Sequence, residues 1–235
     1  MSRQIVLDTE TTGLSAESGD RIIEIGCVEL VGRKFTGNNL HLYVNPERDS
    51  HEDALKVHGI TNEFLRDKPK FAQIADELVD YLSGAELIIH NAAFDVGFIN
   101  MELQRLGRPD VSSFAEAVTD TLAMAKERYP GKRNSLDALC DRLGVDNSKR
   151  TLHGALLDAE LLADVYINLT RGQEALLIDL QGSGDDDGGS VSRVDLSTFD
   201  LPVVAATDAE LAAHQAVLEQ IDQTSGDKTI WRTLP

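Results

Sequence analysis

Residues 4–14, Gln-Ile-Val-Leu-Asp-Thr-Glu-Thr-Thr-Gly-Leu, form the stretch that decides the fold. Residues 4–7 are a short apolar run followed by a Thr/Gly cluster, which predicts a buried strand that ends in a turn. Asp8 and Glu10 are two residues apart, so their side chains point to the same face of an extended chain. Two carboxylates about 4 Å apart repel by about 4 kcal/mol at an effective dielectric constant of about 20. Such a pair requires a cation or a shared proton, although Asp-x-Glu alone more often marks a solvated strand end.

The charge balance restricts the function. The chain has 235 residues, with 22 Lys and Arg against 40 Asp and Glu and a net charge of −18. This length suits one sizeable α/β domain with an appendage. The negative charge argues against a protein that coats nucleic acid electrostatically. It remains compatible with an enzyme that contacts only a chain end through metal ions.

The cellular location is predicted from three features. Cys27 and Cys140 lie in apolar segments, which favours two buried thiols in a reducing compartment and leaves a disulfide as the alternative. Arg3 precedes a strand directly, so we expect no secretory signal peptide. No apolar run approaches the roughly 20 residues of a membrane span. We therefore expect a soluble, cytoplasmic protein without a membrane partner.

Hydrophobic periodicity predicts alternating strands and helices after the first strand. Residues 21–31 and 40–44 complete an antiparallel meander, and two further short strands are expected at 86–89 and 117–119. Helices are predicted over residues 71–82, 96–106, 121–129, 135–143 and 208–221. A further long helix is predicted to end at about residue 169. Asn134 is the expected N-cap of the helix at 135, and His58 is expected in a loop before a helix that starts at Thr61 or Asn62.

Two more acids stand at element boundaries. Asp95 lies where a strand passes into a helix, and Asp158 lies near the entry of the helix that ends at about residue 169. Simpler interpretations are open for both: Asn91 or Asp95 could only cap a helix, and Asp158 could belong to a solvated acidic face. His153 precedes Asp158 with four residues between them.

Together, the four acids predict a metal site. Carboxylate oxygens suit Mg²⁺ or Mn²⁺, and Asp8, Glu10, Asp95 and Asp158 suffice to hold two such cations about 3.5–4 Å apart. This arrangement stabilises both the attacking and the leaving oxygens in phosphodiester cleavage. His153 is the expected general base, because the unperturbed histidine pKa of about 6.5 is close to neutral pH.

Three stretches resemble the motifs of the DEDD 3′→5′ exonucleases, in their histidine-containing branch. They are residues 8–13 (Asp-Thr-Glu-Thr-Thr-Gly), 90–95 (His-Asn-Ala-Ala-Phe-Asp) and 153–159 (His-Gly-Ala-Leu-Leu-Asp-Ala). Residues 130–140 and 146–153 resemble the members of this branch that proofread for bacterial replicative polymerases. The resemblance is dense over residues 1 to about 170 and looser after that.

The resemblance implies a ribonuclease H-like fold, a mixed sheet flanked by helices, and proofreading by two-metal-ion hydrolysis that releases nucleoside 5′-monophosphates. It also implies a pocket for the terminal nucleotide of a single-stranded DNA 3′ end. The expected lining residues are Thr11, Thr12, His58, Asn91 and Phe94. Where the family has a glutamate, five positions before the histidine, this chain has Asp53, which puts a nucleotide contact at that position in doubt.

The C-terminal part is expected to be organised differently. The exonuclease domain should cover residues 1–172, a Gly-, Ser- and Asp-rich linker residues 173–198, and a short docking tail residues 199–235. Within the linker, residues 173–178 resemble a weak sliding-clamp-binding peptide with Gln173, Leu176 and Ile178 as anchors; an ordinary helix end is an equal alternative. The tail contains the only tryptophan, Trp231, and is too small to be stable alone. The resemblance implies that it docks on the catalytic (alpha) subunit of DNA polymerase III, and it leaves room for a small theta-like subunit.

Two other functions are compatible with parts of the pattern. Ribonucleases of the same superfamily trim RNA ends, but they typically have no linker and docking tail. A purely structural polymerase subunit would be favoured by loss of one of the acids, and all four are present.

Overall fold

The computed structural model of the chain describes residues 3–148, 150, 152–171 and 206–225. These residues fall into two units, one up to residue 171 and one from 206, and each is considered by itself. Within these ranges, no helix has the length and apolar character needed to cross a membrane. The four residues expected to bind partners, Gln173, Leu176, Ile178 and Trp231, lie outside the described residues.

A mixed six-stranded sheet forms the centre of the larger unit. Its order is β3-β2-β1-β5-β6, and β4 also pairs with β2. The strands are β1 (Arg3–Thr11), β2 (Ile22–Val31), β3 (Lys34–Phe35), β4 (Leu40–Tyr43), β5 (Glu86–Ile89) and β6 (Ala117–Asp120). Strand β1 runs antiparallel to β2 and parallel to β5, and β5 runs parallel to β6. The expected mixed sheet, including the meander of its first half, is confirmed.

Seven α-helices are described in the larger unit and one in the smaller unit. They are α1 (Glu52–His58), α2 (Asn62–Leu65), α3 (Phe71–Leu82), α4 (Ala92–Arg105), α5 (Thr121–Arg128), α6 (Leu136–Leu143), α7 (Ala155–Leu169) and α8 (Asp208–Ser225), with a 3₁₀ turn at Val111–Ser113. The periodicity located α3 without error and α5 within one residue. It missed α1, whose short sequence has little apolar repeat.

Strand β1 is buried on both faces, which explains its continuous apolar run. Ile5 and Leu7 pack in one cluster with residues of α3 and α4, such as Leu78 and Phe98. Val6 points to the opposite face and packs in a second cluster, with Ala159, Leu162 and Tyr166 of α7. Helices therefore cover both faces of the sheet.

Strand register brings three chain segments to one end of the sheet. Leu7 of β1 pairs with Ile89 of β5, and Ile89 pairs with Asp120 of β6. Because these strands are parallel, their carboxyl ends lie at the same edge of the sheet. Asp8, the residue after Leu7, therefore lies at the edge where α4 and α5 begin. The acids predicted from distant parts of the sequence are consequently brought together here.

Gly26 allows α7 to approach the sheet closely. It pairs with Asp8 in the β1–β2 ladder, and a Cβ at this position would lie 2.2 Å from the Ala155 backbone. Any other residue would push away the first turn of α7, which carries Asp158. The glycine therefore fixes the distance between two of the acids.

Several local expectations need correction. His58 does not lie in a loop, because it is the last residue of α1 and Gly59 ends the helix with a φ of 70°. Asn134 is not the N-cap of α6; the Ser135 hydroxyl caps it by accepting from Ala138 N. By contrast, the preferred prediction of two buried thiols is confirmed, since Cys27 and Cys140 are both free and buried; the alternative of a disulfide between them is wrong.

Candidate active site

Asp8 and Glu10 come from the last residues of β1. Both side chains are half-buried, and they pair across the ladder with Gly26 and Glu24 of β2. A register irregularity follows directly between Glu10 and Thr11. The pairing with β2 thus holds both carboxylates near the C-terminal end of β1, as the Asp-x-Glu spacing predicted.

Asp95 enters the site from the first turn of α4. Its side chain is 3% exposed, and its Oδ1 accepts a 2.6 Å hydrogen bond from the hydroxyl of Thr9. Asn91 takes the N-cap position with a positive φ of 66°, but its side chain makes no capping hydrogen bond. Asn91 therefore makes no side-chain cap, Asp95 lies inside the first turn of α4 and not at its N-cap, and both side chains line the same cavity.

Asp158 enters from the first turn of α7 and is also 3% exposed. The alternative of a solvated acidic face is thus wrong for this residue. Its Oδ2 lies 3.3 Å from Nδ1 of His153. One ligand atom each from Glu10, His153 and Asp158 lie within 4.8 Å of one another, a spacing suited to a metal ion.

The electrostatics of this cluster show an excess of negative charge. Burial raises the pKa of Asp8 well above its ordinary value, and repulsion from Asp95 and Glu10 adds to this. Burial likewise raises the pKa of Glu10 to about 8 and that of Asp95 to about 7. Three of the four acids therefore favour a proton or a cation at neutral pH. Because carboxylate oxygens suit hard divalent cations, this donor set fits them.

Asp158 differs because it has a permanent cation beside it. Burial alone would raise the pKa of Asp158, but hydrogen bonds from His153 and Arg150 outweigh burial and lower the pKa. Arg150 is only 7% exposed and also donates to Asp137 at 2.6 Å. In the opposite sense, the hydrogen bond to Asp158 raises the pKa of His153 above its ordinary value.

A cavity of about 520 Å³, here called the acidic cavity, opens over the cluster. All four acids and His153 line it, together with Asn91 and Phe94. Residues of α5 and of the loop before α6 also line it, among them Lys126, Lys132 and Asn134. The lining therefore combines acidic and basic side chains.

A second cavity of about 630 Å³, the side cavity, shares Glu10 and Phe94 with the first. Thr11 and His58, two of the expected lining residues, also line it, and so does Asp53, where the resemblance put a nucleotide contact in doubt. The Asp53 carboxylate is exposed and forms an ion pair with Lys56. Thr12 is placed differently: its side chain is fully buried, and its hydroxyl bonds Asp20 and the backbone of Arg21. Thr12 therefore supports the turn after β1 instead of lining the cavity.

Comparisons with known proteins agree with this geometry. The exonuclease family model described as RNase_T matches residues 5–166. The DNA polymerase III subunit epsilon of Escherichia coli is 51% identical, with 99% of this chain and 98% of the relative covered. The corresponding subunit of Rickettsia felis is 46% identical, with 95% and 98% covered. The chain belongs to the epsilon-subunit family of DNA polymerase III. As a member of this family, it is a 3′→5′ exonuclease that proofreads for the polymerase.

Solved structures extend the agreement to the fold. Exonuclease X in complex with 5′ overhanging duplex DNA superposes with a TM-score of 0.56 at 26% identity, covering 73% of this chain and 93% of that one. The nuclease domain of 3′hExo, a DEDDh family member bound to rAMP, gives a TM-score of 0.62 at 20% identity, covering 72% and 92%. The ribonuclease H-like fold expected from the resemblance is confirmed.

Sequence reasoning did not assign roles to two charged residues of the site, Arg150 and Glu24. Glu24 is buried, with 3% exposure, and it pairs with Glu10 across the β1–β2 ladder. One carboxylate oxygen lies 2.6 Å from Nε2 of His41, and the other accepts a hydrogen bond from Ala155 N at the start of α7. A glutamate inside the isoleucine-rich stretch of residues 22–25 was the available signal.

Proposed function

We propose that the chain hydrolyses the terminal phosphodiester bond at the 3′ end of single-stranded DNA with two divalent cations, Mg²⁺ or Mn²⁺, and releases nucleoside 5′-monophosphates. One observation carries the proposal: Glu10, His153 and Asp158 converge within 4.8 Å, and Asp8 and Asp95 line the same cavity. Four carboxylates and one histidine supply both the ligands and the base that this hydrolysis needs.

Asp8, Glu10, Asp95 and Asp158 are the residues that would hold the cations. When bound, the cations supply positive charge that stabilises the attacking and leaving oxygens. The raised pKa values of Asp8, Glu10 and Asp95 support this assignment, because burial and mutual repulsion leave the carboxylates in need of positive charge.

His153 is the proposed general base. Its side chain is 45% exposed, and its Nδ1 faces Asp158 and Arg150. This leaves Nε2 to take one proton from the attacking water while the water oxygen bonds to phosphorus. The 3′ oxygen of the preceding nucleotide then leaves and takes a proton from solvent. A backbone hydrogen bond of 3.1 Å from His153 N to Val57 O ties the base to α1.

The terminal nucleotide is proposed to occupy the side cavity, contacting Thr11, Asp53, His58 and Phe94. It would also contact Asn91, which lines the adjoining acidic cavity. His58 gives the best support: Nδ1 accepts from Ile60 N at 3.0 Å, whereas the buried Nε2 has no partner among the described residues. Because burial lowers the pKa of His58, the ring is neutral and Nε2 carries the proton. A buried N–H without an acceptor is costly, so a nucleotide oxygen is a suitable partner.

Partner binding is proposed for the chain after residue 172. The tail 199–235, with Trp231, would dock on the polymerase alpha subunit, and the linker 173–198 would keep the exonuclease domain tethered nearby.

The sliding clamp would be bound by a peptide in the linker, with Gln173, Leu176 and Ile178 as anchors. A small theta-like subunit is a further candidate partner. These assemblies place the protein in the bacterial cytoplasm. Clamp affinity of the Gln173→Ala, Leu176→Ala double variant tests the peptide, and an unaltered affinity would refute it.

The chemical proposal is tested with two substrates. A DNA primer with a 3′ mismatch and a matched RNA are each incubated with Mg²⁺, and the released mononucleotide is followed. We expect rapid release of deoxynucleoside 5′-monophosphate from the DNA. Faster release from the RNA would instead support the RNA-trimming alternative, and 3′-monophosphate products would contradict the proposed direction of bond cleavage.

A further inference from the structure

Two lysines belong to the lining of the acidic cavity. Lys126 lies on α5, and Lys132 lies in the loop before α6; both are exposed and line the cavity. We call this pair the lysine wall. The lysine wall lines the same cavity as the four carboxylates.

The lysine wall carries free positive charge in a strongly acidic chain. The arginine that lines the same cavity is paired, because Arg150 bonds Asp137 and Asp158. Within the described residues, neither Lys126 nor Lys132 forms an ion pair with an acid. With a net charge of −18, two unneutralised ammonium groups beside a cavity indicate an anionic ligand.

The loop that carries Lys132 is held in place by specific contacts. Arg142 donates to Asn134 Oδ1 at 3.0 Å and to Arg133 O at 2.7 Å. Its guanidinium also lies 4.6 Å from the centroid of the Tyr129 ring. Asn134 is buried and donates to Tyr129 O. The cation is therefore presented from a fixed loop, which reduces the entropy lost on binding.

We propose that Lys126 and Lys132 bind backbone phosphates of the DNA strand that precede the scissile phosphodiester. This inference rests on the proposed function and specifies how the same site recognises its substrate. The terminal nucleotide would lie in the side cavity, the scissile phosphate over the acids, and the preceding phosphates along the lysine wall. The wall would thus offset the repulsion between an acidic protein and a polyanion where the strand enters.

The test compares two substrates in the full-length protein. A single-stranded oligonucleotide has preceding phosphates, whereas the p-nitrophenyl ester of thymidine 5′-monophosphate has none. We expect the Lys126→Gln, Lys132→Gln double variant to show a lower ratio of kcat/KM for the oligonucleotide to kcat/KM for the ester. Lys126→Arg, Lys132→Arg should restore the ratio, because it keeps both charges.

Salt dependence supplies a second readout. Each phosphate contact on a single strand contributes about 0.7 to the slope of log affinity against log salt concentration. Losing two contacts should reduce the slope by about 1.4. Raising salt from about 50 to about 200 mM should therefore raise the wild-type KM for the oligonucleotide about 7-fold more than that of the double variant.

Lys34→Gln is the matched control. Lys34 is an exposed lysine that pairs with Val31, and Val31 pairs with Arg3 at the opposite end of β1 from Asp8. This variant should keep the wild-type ratio and slope. A wild type that cleaves both substrates, together with a Lys126→Gln, Lys132→Gln variant that keeps the wild-type kcat/KM ratio and salt slope, would overturn the proposed phosphate contacts of the lysine wall. A wild type that cleaves neither substrate overturns the proposed function and the lysine wall with it.

Discussion

Arg150 donates two hydrogen bonds to Asp158, from Nε to Oδ1 at 2.5 Å and from Nη2 to Oδ2 at 2.6 Å. Both carboxylate oxygens of a proposed metal ligand are thus engaged by a guanidinium. Bidentate pairs of this kind are stronger than neutral hydrogen bonds. A cation that binds Asp158 has to compete with Arg150, so the arginine should set both the stability of the metal-free protein and its metal affinity.

Arg150→Gln should make the metal-free protein less stable and its metal binding tighter. The first effect follows because Asp158 is left buried without a cation. The second follows because the carboxylate oxygens become available. Melting temperature with and without about 10 mM Mn²⁺ measures both effects, since at a given concentration a ligand that binds the folded state more tightly stabilises it more.

Asp137→Asn is the control for Arg150. It removes the other anchor of the arginine, but Asp137 is half exposed and leaves no buried charge behind. Its destabilisation should therefore be smaller. A smaller stabilisation by Mn²⁺ in Arg150→Gln than in the wild type would show that the arginine assists metal binding instead of competing with it.

The metal-free protein should lose stability as pH rises from about 4 to about 8. Glu10 and Asp95 have folded-state pKa values of about 8 and about 7 because they are buried. Their unfolded values are about 4.3 and 3.9. The folded state therefore binds more protons than the unfolded state in this range, and stability falls with increasing pH. Urea unfolding in EDTA at several pH values measures the slope.

The Glu10→Gln, Asp95→Asn double variant should reduce this slope, because neither residue can ionise; Asp8, whose pKa burial also raises, accounts for the slope that remains. Glu63→Gln, on the exposed surface of α2, should leave the slope as in the wild type. Saturating Mg²⁺ should also flatten it, since the ion stabilises the ionised carboxylates. A wild-type stability that increases over this pH range would contradict the raised pKa values.

His153→Ala should lower the rate of nucleotide release by about 10²–10⁴-fold, the contribution typical of a general base. In the wild type, the rate should fall as pH decreases through the His153 pKa, which the hydrogen bond to Asp158 raises above its ordinary value. The pH–rate profile of the Ala variant should lack this fall. His214→Ala, an exposed histidine of α8, serves as the control, and a His153→Ala profile that keeps the fall would exclude this residue as the base.

The sequence predicted most of the sheet and the acids because their signals are local. The strand pattern of β1, β5 and β6 and the acids that follow each strand could be located without knowing any tertiary contact. Parallel pairing then brings the strand ends together. The apolar repeat of α3 was equally clear, whereas α1 carries too few apolar positions and its existence depends on packing next to the side cavity.

Charges that act through tertiary contacts could not be assigned in the same way. Arg150 lies in a loop, and nothing near it in sequence indicates that its guanidinium is buried between Asp137 and Asp158. Thr12 illustrates the converse: it belongs to a recognisable motif, but its hydroxyl faces Asp20. Motif membership therefore located the site correctly without deciding which side chain of the motif faces the cavity.

His58→Asn should raise the KM for single-stranded DNA about 2- to 10-fold, which corresponds to one lost hydrogen bond. Asn retains an acceptor close to the position of Nδ1, so the bond from Ile60 N can persist, but it has no donor at the position of Nε2. His58→Gln retains a donor near Nε2 and should be less affected. Steady-state kinetics of both variants provide the comparison, and a larger defect in the Gln variant would contradict the role given to Nε2.

Truncation after residue 180 should leave nucleotide release intact and abolish association with the polymerase alpha subunit. The proposed catalytic residues all lie in the unit that ends at residue 171, whereas α8 in the tail exposes apolar side chains. In α8, Leu211, Val217 and Ile221 remain 55%, 53% and 39% exposed. Full burial of such a side chain contributes about 1.5–3 kcal/mol. Several of them, with Trp231 as an aromatic anchor, are sufficient for a nanomolar complex of about 12 kcal/mol after ordering costs.

Co-purification of the alpha subunit with the full-length chain, with the truncated chain and with the Trp231→Ala variant measures the effect. Because the truncation removes no residue of the acidic cavity, equal recovery of alpha by the truncated chain would place the polymerase contact on the exonuclease domain itself.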